Sequence, residues 1–136
     1  MNHCSASSCS ICFGISSFLL GSYFKFYTNG IGKHISLNFG DNTFADPEGL
    51  YANLSRLFIH GRGIQSITSL TFRPFKDVKE LRIYDTSILE LPGNMFLNMP
   101  RLNIVRIFKN PQLLSFPENL FGVESDSNDN NINNAI

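Results

Sequence analysis

The chain has 136 residues, with eleven basic and eleven acidic side chains and no tryptophan. This length and composition agree with a single domain, and a net charge of zero excludes no class of function by itself. The charge is uneven, because residues 54–109 carry nine Lys or Arg against four acids. An excess of this size on a repeat array is typical of solvated surface, so no nucleic-acid partner is expected.

Residues 1–30 are predicted to be a leader, either a signal peptide or a disordered segment. The most apolar run, residues 11–27, is too short and too often interrupted by serine and lysine for a membrane-spanning helix. It contains an apolar stretch suited to a secretory signal, Phe18-Leu19-Leu20, but no Lys or Arg precedes that stretch. A piece of a truncated gene model is the remaining alternative.

Residues 31–53 are predicted to form an irregular first repeat or an N-terminal cap. Ile35 and Leu37 stand at the alternating spacing of a strand. They precede Leu57 and Ile59 by nearly the same interval that separates the copies that follow. A plain capping strand followed by a loop is the alternative.

Three copies of one pattern then follow one another along the chain. The first two are equal in length and carry apolar residues in the same seven positions. The third begins alike and is then predicted to slip by one residue, so that Phe121 takes the position of Phe72 and Phe96. A short repeat of this kind predicts a solenoid. The copies span residues 54–77, 78–101 and 102–124, and the shared positions hold Leu54, Leu57, Ile59, Ile64, Ile67, Phe72 and Phe75, then Val78, Leu81, Ile83, Ile88, Leu91, Phe96 and Met99, then Leu102, Val105, Ile107, Leu113, Phe116 and Phe121.

Each copy is predicted to contain a short parallel strand near its start. Apolar residues at its fourth and sixth positions are separated by one residue, which is the spacing of a strand. Strands are therefore expected at residues 56–61, 80–85 and 104–109. Stacked copies bury their faces against each other, so equal positions should form columns. The expected columns are Leu57, Leu81 and Val105, then Ile59, Ile83 and Ile107, and behind them Phe72, Phe96 and Phe121.

The segment after the second strand carries the residues of a known family. It reads Leu91-Pro92-Gly93-Asn94-Met95-Phe96-Leu97-Asn98-Met99. This resembles the extracellular type of leucine-rich repeat, whose pattern ends in L-P-x-x-x-F-x-x-L. The ectodomains of Toll and Toll-like receptors and, a little less, of glycoprotein-hormone receptors are the most similar. That resemblance rests on Asn53-Leu54-Ser55-Arg56-Leu57, Leu81-Arg82-Ile83-Tyr84, Ile88-Leu89-Glu90-Leu91-Pro92 and Arg106-Ile107-Phe108-Lys109-Asn110-Pro111-Gln112-Leu113-Leu114.

The resemblance implies both a fold and a function. The fold is an α/β solenoid, in which a short curved parallel β-sheet lines the concave side and irregular or short helical segments form the convex side. The function is non-catalytic binding of an extracellular protein ligand or a neighbouring receptor chain, as part of a receptor ectodomain. In the family an Asn at the ninth position of a copy bonds the backbone of the turn, and here Asn110 alone matches.

The resemblance also implies that more chain belongs to the molecule. Such receptors continue into further repeats, a membrane span and a signalling domain, none of which is present in the sequence. We therefore expect an N-terminal fragment, a truncated isoform or an incomplete gene model. A truncated isoform that binds ligand without signalling would act as a decoy.

The three cysteines, Cys4, Cys9 and Cys12, all lie in the first dozen residues. In the similar family a cysteine cap opens the ectodomain, and these residues could be its remnant. A zinc site with His3 is the sharper alternative, but it lacks a second pair of ligands. No metal is therefore predicted, and the odd count leaves one free thiol or an intermolecular bond.

The residues between the buried strand positions are predicted to face outward on the concave surface. The seventh position holds an aromatic or imidazole side chain in every copy. Exposed aromatic rings with arginine beside them are typical of binding hot spots. The alternative is that neighbouring rings stack and shield one another. The predicted ligand-binding residues are Phe58, His60, Arg82, Tyr84, Asp85, Arg106, Phe108 and Lys109.

Enzyme chemistry finds no support in the sequence. It contains no phosphate-binding loop, dinucleotide-binding turn, zinc-protease helix or serine-hydrolase elbow. We therefore predict no catalytic residue and no cofactor. A structural or matrix-adhesion segment with no ligand of its own remains the alternative to a binding module.

Two further features bear on where the protein acts. Asn53-Leu54-Ser55 is the one N-x-S/T sequon in the sequence, so Asn53 is the predicted glycosylation site. A glycan there agrees with an extracellular location, either secreted or on the outer part of a receptor. Residues 125–136 are rich in Asn, Asp and Ser and are predicted to be a disordered tail.

Overall fold

The computed structural model describes residues 11–12, 15–20, 23–28 and 36–122 of the chain. Within them, eight strands are joined by turns and irregular segments, with no α-helix. In this part of the chain, no helix has the length and apolar character needed to cross a membrane. The strands are β1 (Ile11–Cys12), β2 (Ile15–Leu20), β3 (Tyr23–Thr28), β4 (Leu37–Asn38), β5 (Arg56–Gly61), β6 (Ile64–Ser66), β7 (Glu80–Thr86) and β8 (Ile104–Phe108).

The strands form a parallel solenoid with an antiparallel start. The main sheet has the order β1-β2-β3-β5-β7-β8, in which β3, β5, β7 and β8 are parallel. The register pairs Leu57 with Leu81 and Leu81 with Val105, so the column predicted from the repeat spacing is confirmed. A second, two-stranded parallel sheet, β4-β6, forms where the chain turns away from the first.

The core lies on one face of the main sheet and holds every apolar position of the first two copies. All fourteen of these side chains are buried, and Leu57, Ile59 and Leu81 are fully enclosed. Each side chain of this size contributes about 1.5–3 kcal/mol by leaving water. The third copy is less enclosed, since Val105 and Ile107 are only partly buried against the same core. The solenoid is therefore tightly packed at β5 and β7 and more open at β8.

The N-terminal end of the core is filled by aromatic rings. Phe24 from β3 contacts Tyr51 edge-to-face, with ring centroids 5.5 Å apart. Phe26 does the same with Phe39 at 5.1 Å, and Phe44 lies between both groups. Edge-to-face pairs add about 0.5–1.5 kcal/mol to the area that they bury. This cluster closes one end of the solenoid, as a cap does.

The first parallel strand of the main sheet is β3, which corrects the sequence-based alignment. The repeat spacing predicts that Ile35 and Leu37 stack on Leu57 and Ile59, yet Phe24 and Phe26 take those places in the register. Leu37 instead pairs with Ile64 in the second sheet. Leu37 therefore belongs to a later column of the same first turn.

The position of β3 also bears on the leader predicted for residues 1–30. β3 lies inside residues 1–30, and its Phe24 and Phe26 are buried in the core. Residues 23–28 of the range predicted as a leader therefore form an ordered strand of the sheet, and the signal peptide stays a prediction. His3, Cys4 and Cys9 and the tail 125–136 lie outside the described residues, as does the side chain of Cys12.

The predicted slip of the third copy holds at Leu113, which packs against the core, but not at the last column. Leu120 follows Phe96 at the interval that separates Phe96 from Phe72, and it is 3% exposed, whereas Phe121 is 49% exposed. The backbone N–H of Phe96 donates to the carbonyl of Leu120 at 3.0 Å, which fixes this alignment. Phe121 still contacts the Phe96 ring, with centroids 5.2 Å apart. Leu120 therefore continues the column of Phe72 and Phe96. Phe121 remains half exposed, because no further turn among the described residues covers it.

The turn after β7 is held by one partly buried polar side chain from the next copy, that of Asn110. The Asn110 side-chain amide donates to the carbonyl of Ile83 at 3.1 Å. Its oxygen accepts from the backbone N–H of Thr86 at 3.1 Å and from the Thr86 hydroxyl at 2.7 Å. Thr86 is buried, so its N–H and hydroxyl would lower the stability of the fold if they lacked hydrogen-bond partners, and Asn110 supplies a partner for both. The expected bonding of an Asn at this position is confirmed for Asn110.

Loss of one column residue should destabilise the whole stack. We expect Leu81→Ala to lower the free energy of unfolding by about 2–5 kcal/mol, because it opens a cavity between two strands. Leu89→Ala is the matched control, since Leu89 is 61% exposed. That change should stay within about 0.5 kcal/mol. Urea unfolding followed by circular dichroism measures both, and equal losses would contradict the stacked core.

Candidate binding face

The sheet presents a second face, opposite the core, which we call the outer face. Side chains alternate along each parallel strand, so every second residue points there. Its members are partly buried or exposed, in contrast with their buried neighbours. The outer face consists of Tyr23, Lys25 and Tyr27 from β3, Arg56, Phe58 and His60 from β5, Glu80, Arg82 and Tyr84 from β7, and Ile104, Arg106 and Phe108 from β8.

One row of the outer face is a continuous stack of rings, which we call the aromatic ladder. The rings of Tyr27 and His60 lie 5.6 Å apart between centroids, with an interplanar angle of 11°. His60 and Tyr84 are separated by 4.5 Å at 9°, and Tyr84 and Phe108 by 5.0 Å at 6°. The four rings are therefore nearly parallel across four strands, a spacing close to that between neighbouring strands.

A second cluster of the outer face surrounds Phe58. The Tyr23 ring meets it edge-on with centroids 4.8 Å apart. The Arg82 guanidinium lies 4.7 Å from its centroid, within cation–π distance. Arg82 is also held by Glu80, whose carboxylate oxygen lies 2.7 Å from its nearest nitrogen. The arginine predicted for this face is thus fixed in position by a ring and a carboxylate.

The outer face carries an excess of positive charge. Its four cations stand against one carboxylate, that of Glu80, and this carboxylate is already paired with Arg82. Arg106 is exposed, and no carboxylate of the described residues lies within ion-pair distance of it. The outer face therefore carries a net positive charge.

Two predicted binding residues lie at the margin of the outer face. Asp85 is the extra residue of a bulge, because Gly61 pairs with Thr86. Its φ of 52° and that of Lys109, 53°, belong to the left-handed region, which turns both residues out of the strand alternation. Asp85 forms an ion pair with Arg62, with atoms 3.1 Å apart. Asp85 and Lys109 can reach a bound partner only at its edge.

The outer face contains six residues that the sequence-based site omits: Arg56, Glu80 and Ile104 on the predicted strands, and three more on β3. Tyr23, Lys25 and Tyr27 belong to β3, which the sequence analysis assigns to a leader. Tyr27 extends the aromatic ladder, and the Lys25 ammonium lies 5.5 Å from the centroid of the Tyr27 ring. The signal that could have found them is the alternation of residues 23–27, in which two buried phenylalanines separate three amphipathic side chains.

His60 sits in the middle of the aromatic ladder without a hydrogen bond at one ring nitrogen. Its Nε2 is buried and has no partner among the described residues. Burial lowers the pKa of His60, the positive charge of Lys25 lowers it further, and Asp85 opposes this in part. The imidazole is therefore kept neutral between its two tyrosine neighbours.

The described residues hold no arrangement of metal-ligand type. No group of three or more His, Cys, Asp or Glu side chains in this part of the chain could hold a metal ion. The outer face instead presents rings, guanidinium groups and one carboxylate. These groups suit non-covalent recognition through stacking, cation–π contacts and ion pairs.

Asn53, the predicted glycosylation site, lies away from the outer face. It is exposed in the turn before β5 and has a φ of 66°. Its backbone N–H donates to the Asp77 carboxylate at 3.4 Å, which leaves the side-chain amide at the surface. The position is accessible to a modifying enzyme.

Comparison with known proteins gives no match to this chain. No protein-family model, curated protein or solved structure is significantly similar to it. The resemblance to Toll-type ectodomains therefore rests on the sequence motifs alone. The structure supports the coarser statement that the chain forms a parallel-strand solenoid compatible with a repeat protein.

The buried imidazole should make the stability depend on pH. The pKa of His60 is lower in the folded protein than in the unfolded chain, so the unfolded chain binds more protons below about pH 6.5. His60 therefore leaves the free energy of unfolding unreduced above that pH. Below it, this free energy falls as the pH drops toward the pKa of His60 in the folded protein. His60→Phe keeps a stacked ring without a titrating group, and it should lose less stability between pH 7.5 and 5.

Denaturant unfolding at several pH values, on the natural chain and on His60→Phe, measures this difference. Groups other than His60 titrate in both proteins and cancel in the comparison. Parallel pH profiles would contradict the assignment of a neutral, buried imidazole.

Proposed function

We propose that the protein is a non-catalytic binding module of the extracellular leucine-rich repeat type, which recognises a protein partner through its outer face. That face would be the concave side of the solenoid. The observation that carries the proposal is the outer face itself, where four stacked rings run beside Lys25, Arg82 and Arg106.

The composition of the outer face supports recognition of another protein. Tyrosine and arginine are the residues most enriched at energetic hot spots, and both lie near the centre of this face. Arg82 is pre-positioned by Phe58 and Glu80, which reduces the side-chain entropy lost on binding. The unpaired Arg106 adds an attraction for acidic partners that would speed association.

The leucine-rich repeat assignment has separate support. The constant repeat period, the Leu-Pro segment after β7 and the bonding of Asn110 to the neighbouring turn all agree with that repeat class. The returning segments are irregular rather than helical in the described residues. Membership among Toll-type receptors stays a proposal that rests on the motifs.

A structural segment is the second candidate, and one observation favours it. The rings of the aromatic ladder already satisfy one another, since each inner ring is covered on both faces. A ladder of this kind stabilises a sheet even when nothing binds to it. The two candidates differ in whether loss of outer-face residues removes binding or only stability.

Affinity capture with matched baits separates the two candidates. The full chain is immobilised and exposed to secreted and cell-surface proteins, and bound proteins are quantified by mass spectrometry. A bait with Arg82→Glu and Tyr84→Ser should retain the partner at least about tenfold less, because hot-spot residues each contribute about 2 kcal/mol or more. Tyr84→Phe should keep binding, since it preserves the stack.

The control bait carries Leu97→Ala and Arg73→Ala, which remove one exposed apolar residue and one exposed arginine outside the outer face. It should capture the partner as the natural chain does. Circular dichroism and thermal unfolding establish that every bait is folded. If no captured protein depends on Arg82 and Tyr84, the binding proposal fails and the structural role is preferred.

An extracellular location is the remaining part of the proposal, and Asn53 tests it. Expressed through a eukaryotic secretory pathway, the chain should gain one N-linked glycan at this exposed turn. Asn53→Gln should abolish the mass shift produced by glycosidase, whereas Asn42→Gln, at an exposed Asn outside a sequon, should not. Secretion of a chain without glycan would remove this support.

A further inference from the structure

β8 is the last strand of the described residues, and one of its two edges is unpaired by any of them. β8 bonds to β7 on one side, and no strand of the described residues lies on the other. Backbone N–H and C=O groups on such an edge are free to pair with another chain. Natural proteins shield exposed edges because they are templates for strand addition.

The open edge stands beside an apolar groove of about 600 Å³. Val105 and Ile107 are partly exposed there, although their equivalents Leu81 and Ile83 in the previous turn are buried. The difference arises because another strand covers the equivalents and none of the described residues covers β8. The apolar residues lining the groove include Phe96, Leu102, Val105, Ile107, Phe116 and Leu120.

The charges along the β8 edge indicate which kind of strand would pair with it. Arg106 lies between Val105 and Ile107 and points to the opposite face of the strand. The arginine in the previous rung, Arg82, is neutralised by Glu80, but Arg106 has no carboxylate among the described residues. Lys109 follows the strand and is also exposed without an ion pair there.

We propose that the β8 edge binds an extended acidic segment of a partner protein, which adds one strand to the sheet. The segment alternates apolar and acidic residues. Its apolar side chains lie over Val105 and Ile107 in the groove, and an Asp or Glu between them pairs with Arg106. Backbone bonds supply affinity, and the alternation supplies specificity.

A second copy of this chain fits the edge less well. Two β8 strands joined edge to edge about a two-fold axis bring together surfaces that each carry Arg106 and Lys109. Like charges directly opposite each other on neighbouring strands are destabilising. The groove would be filled, but the cations would gain no counter-charge from the described part of the partner copy.

Peptide binding tests the proposal with the full chain. The probe is a fluorescein-labelled peptide reading Thr-Val-Glu-Val-Thr, and the comparison peptide carries Lys in place of Glu. Fluorescence polarisation should show tighter binding of the acidic probe. Arg106→Glu should weaken that probe by about fivefold, as expected for one exposed ion pair, and should reverse the preference. Arg73→Glu, an exposed arginine in a turn, is the control and should change neither affinity.

Backbone NMR locates the bound probe. Shift changes confined to residues 102–109 and the groove support the edge, and retention of binding by Tyr84→Ser separates this site from the outer-face proposal. The proposal fails if the acidic probe does not bind, if Arg106→Glu has no effect, or if the shifts map to the aromatic ladder. It also fails if sedimentation shows a dimer that Arg106→Glu dissociates. Tenfold tighter binding by a chain ending at Gly122 would contradict it as well, because residues 123–136 would then be the occupant.

Discussion

The constraint on which this molecule depends is the stacking of equivalent side chains at a fixed interval of chain. Leu57, Leu81 and Val105 lie in register across three strands, and a side chain in one turn is buried only by its counterparts in the turns beside it. No single turn encloses a core by itself. The aromatic cluster at β3 supplies the missing neighbour at one end, while β8 has a neighbour on one side only. The difference between the two ends follows directly from this dependence.

The same register that buries one face organises the other. Because the strands are parallel and aligned, whatever occupies one position of a turn meets the same position of the next. The register alone therefore places Tyr27, His60, Tyr84 and Phe108 in one stack. The stack stabilises the sheet, since its rings cover one another and still present their edges. A neutral imidazole is favoured there because partial burial and the positive charge of Lys25 both lower the pKa of His60.

Sequence reasoning located the strands that are separated by the constant repeat period, and it missed β3, which lies at a different distance along the chain. The constant spacing located the strands of all three copies and the rings of His60, Tyr84 and Phe108. The step from Phe24 to its register partner Leu57 is longer than the step from Leu57 to Leu81, so β3 and its outer-face residues escaped a search at the shorter period. At the other end, Leu120 and Phe121 are adjacent and both apolar. The constant interval from Phe72 to Phe96 points to Leu120, and the sequence analysis missed it by extending the slip at Leu113 to Phe121.

The distribution of tyrosine gives the protein an intrinsic optical reporter. The chain has four tyrosines and no tryptophan, so no indole absorbs or quenches the phenol emission. Tyr23, Tyr27 and Tyr84 lie on the outer face, and Tyr51 alone is enclosed in the core. The ultraviolet signal of the molecule therefore originates mainly from the surface that a partner would cover. A ligand bound there would change the tyrosine absorbance or fluorescence, so binding could be followed without an attached dye.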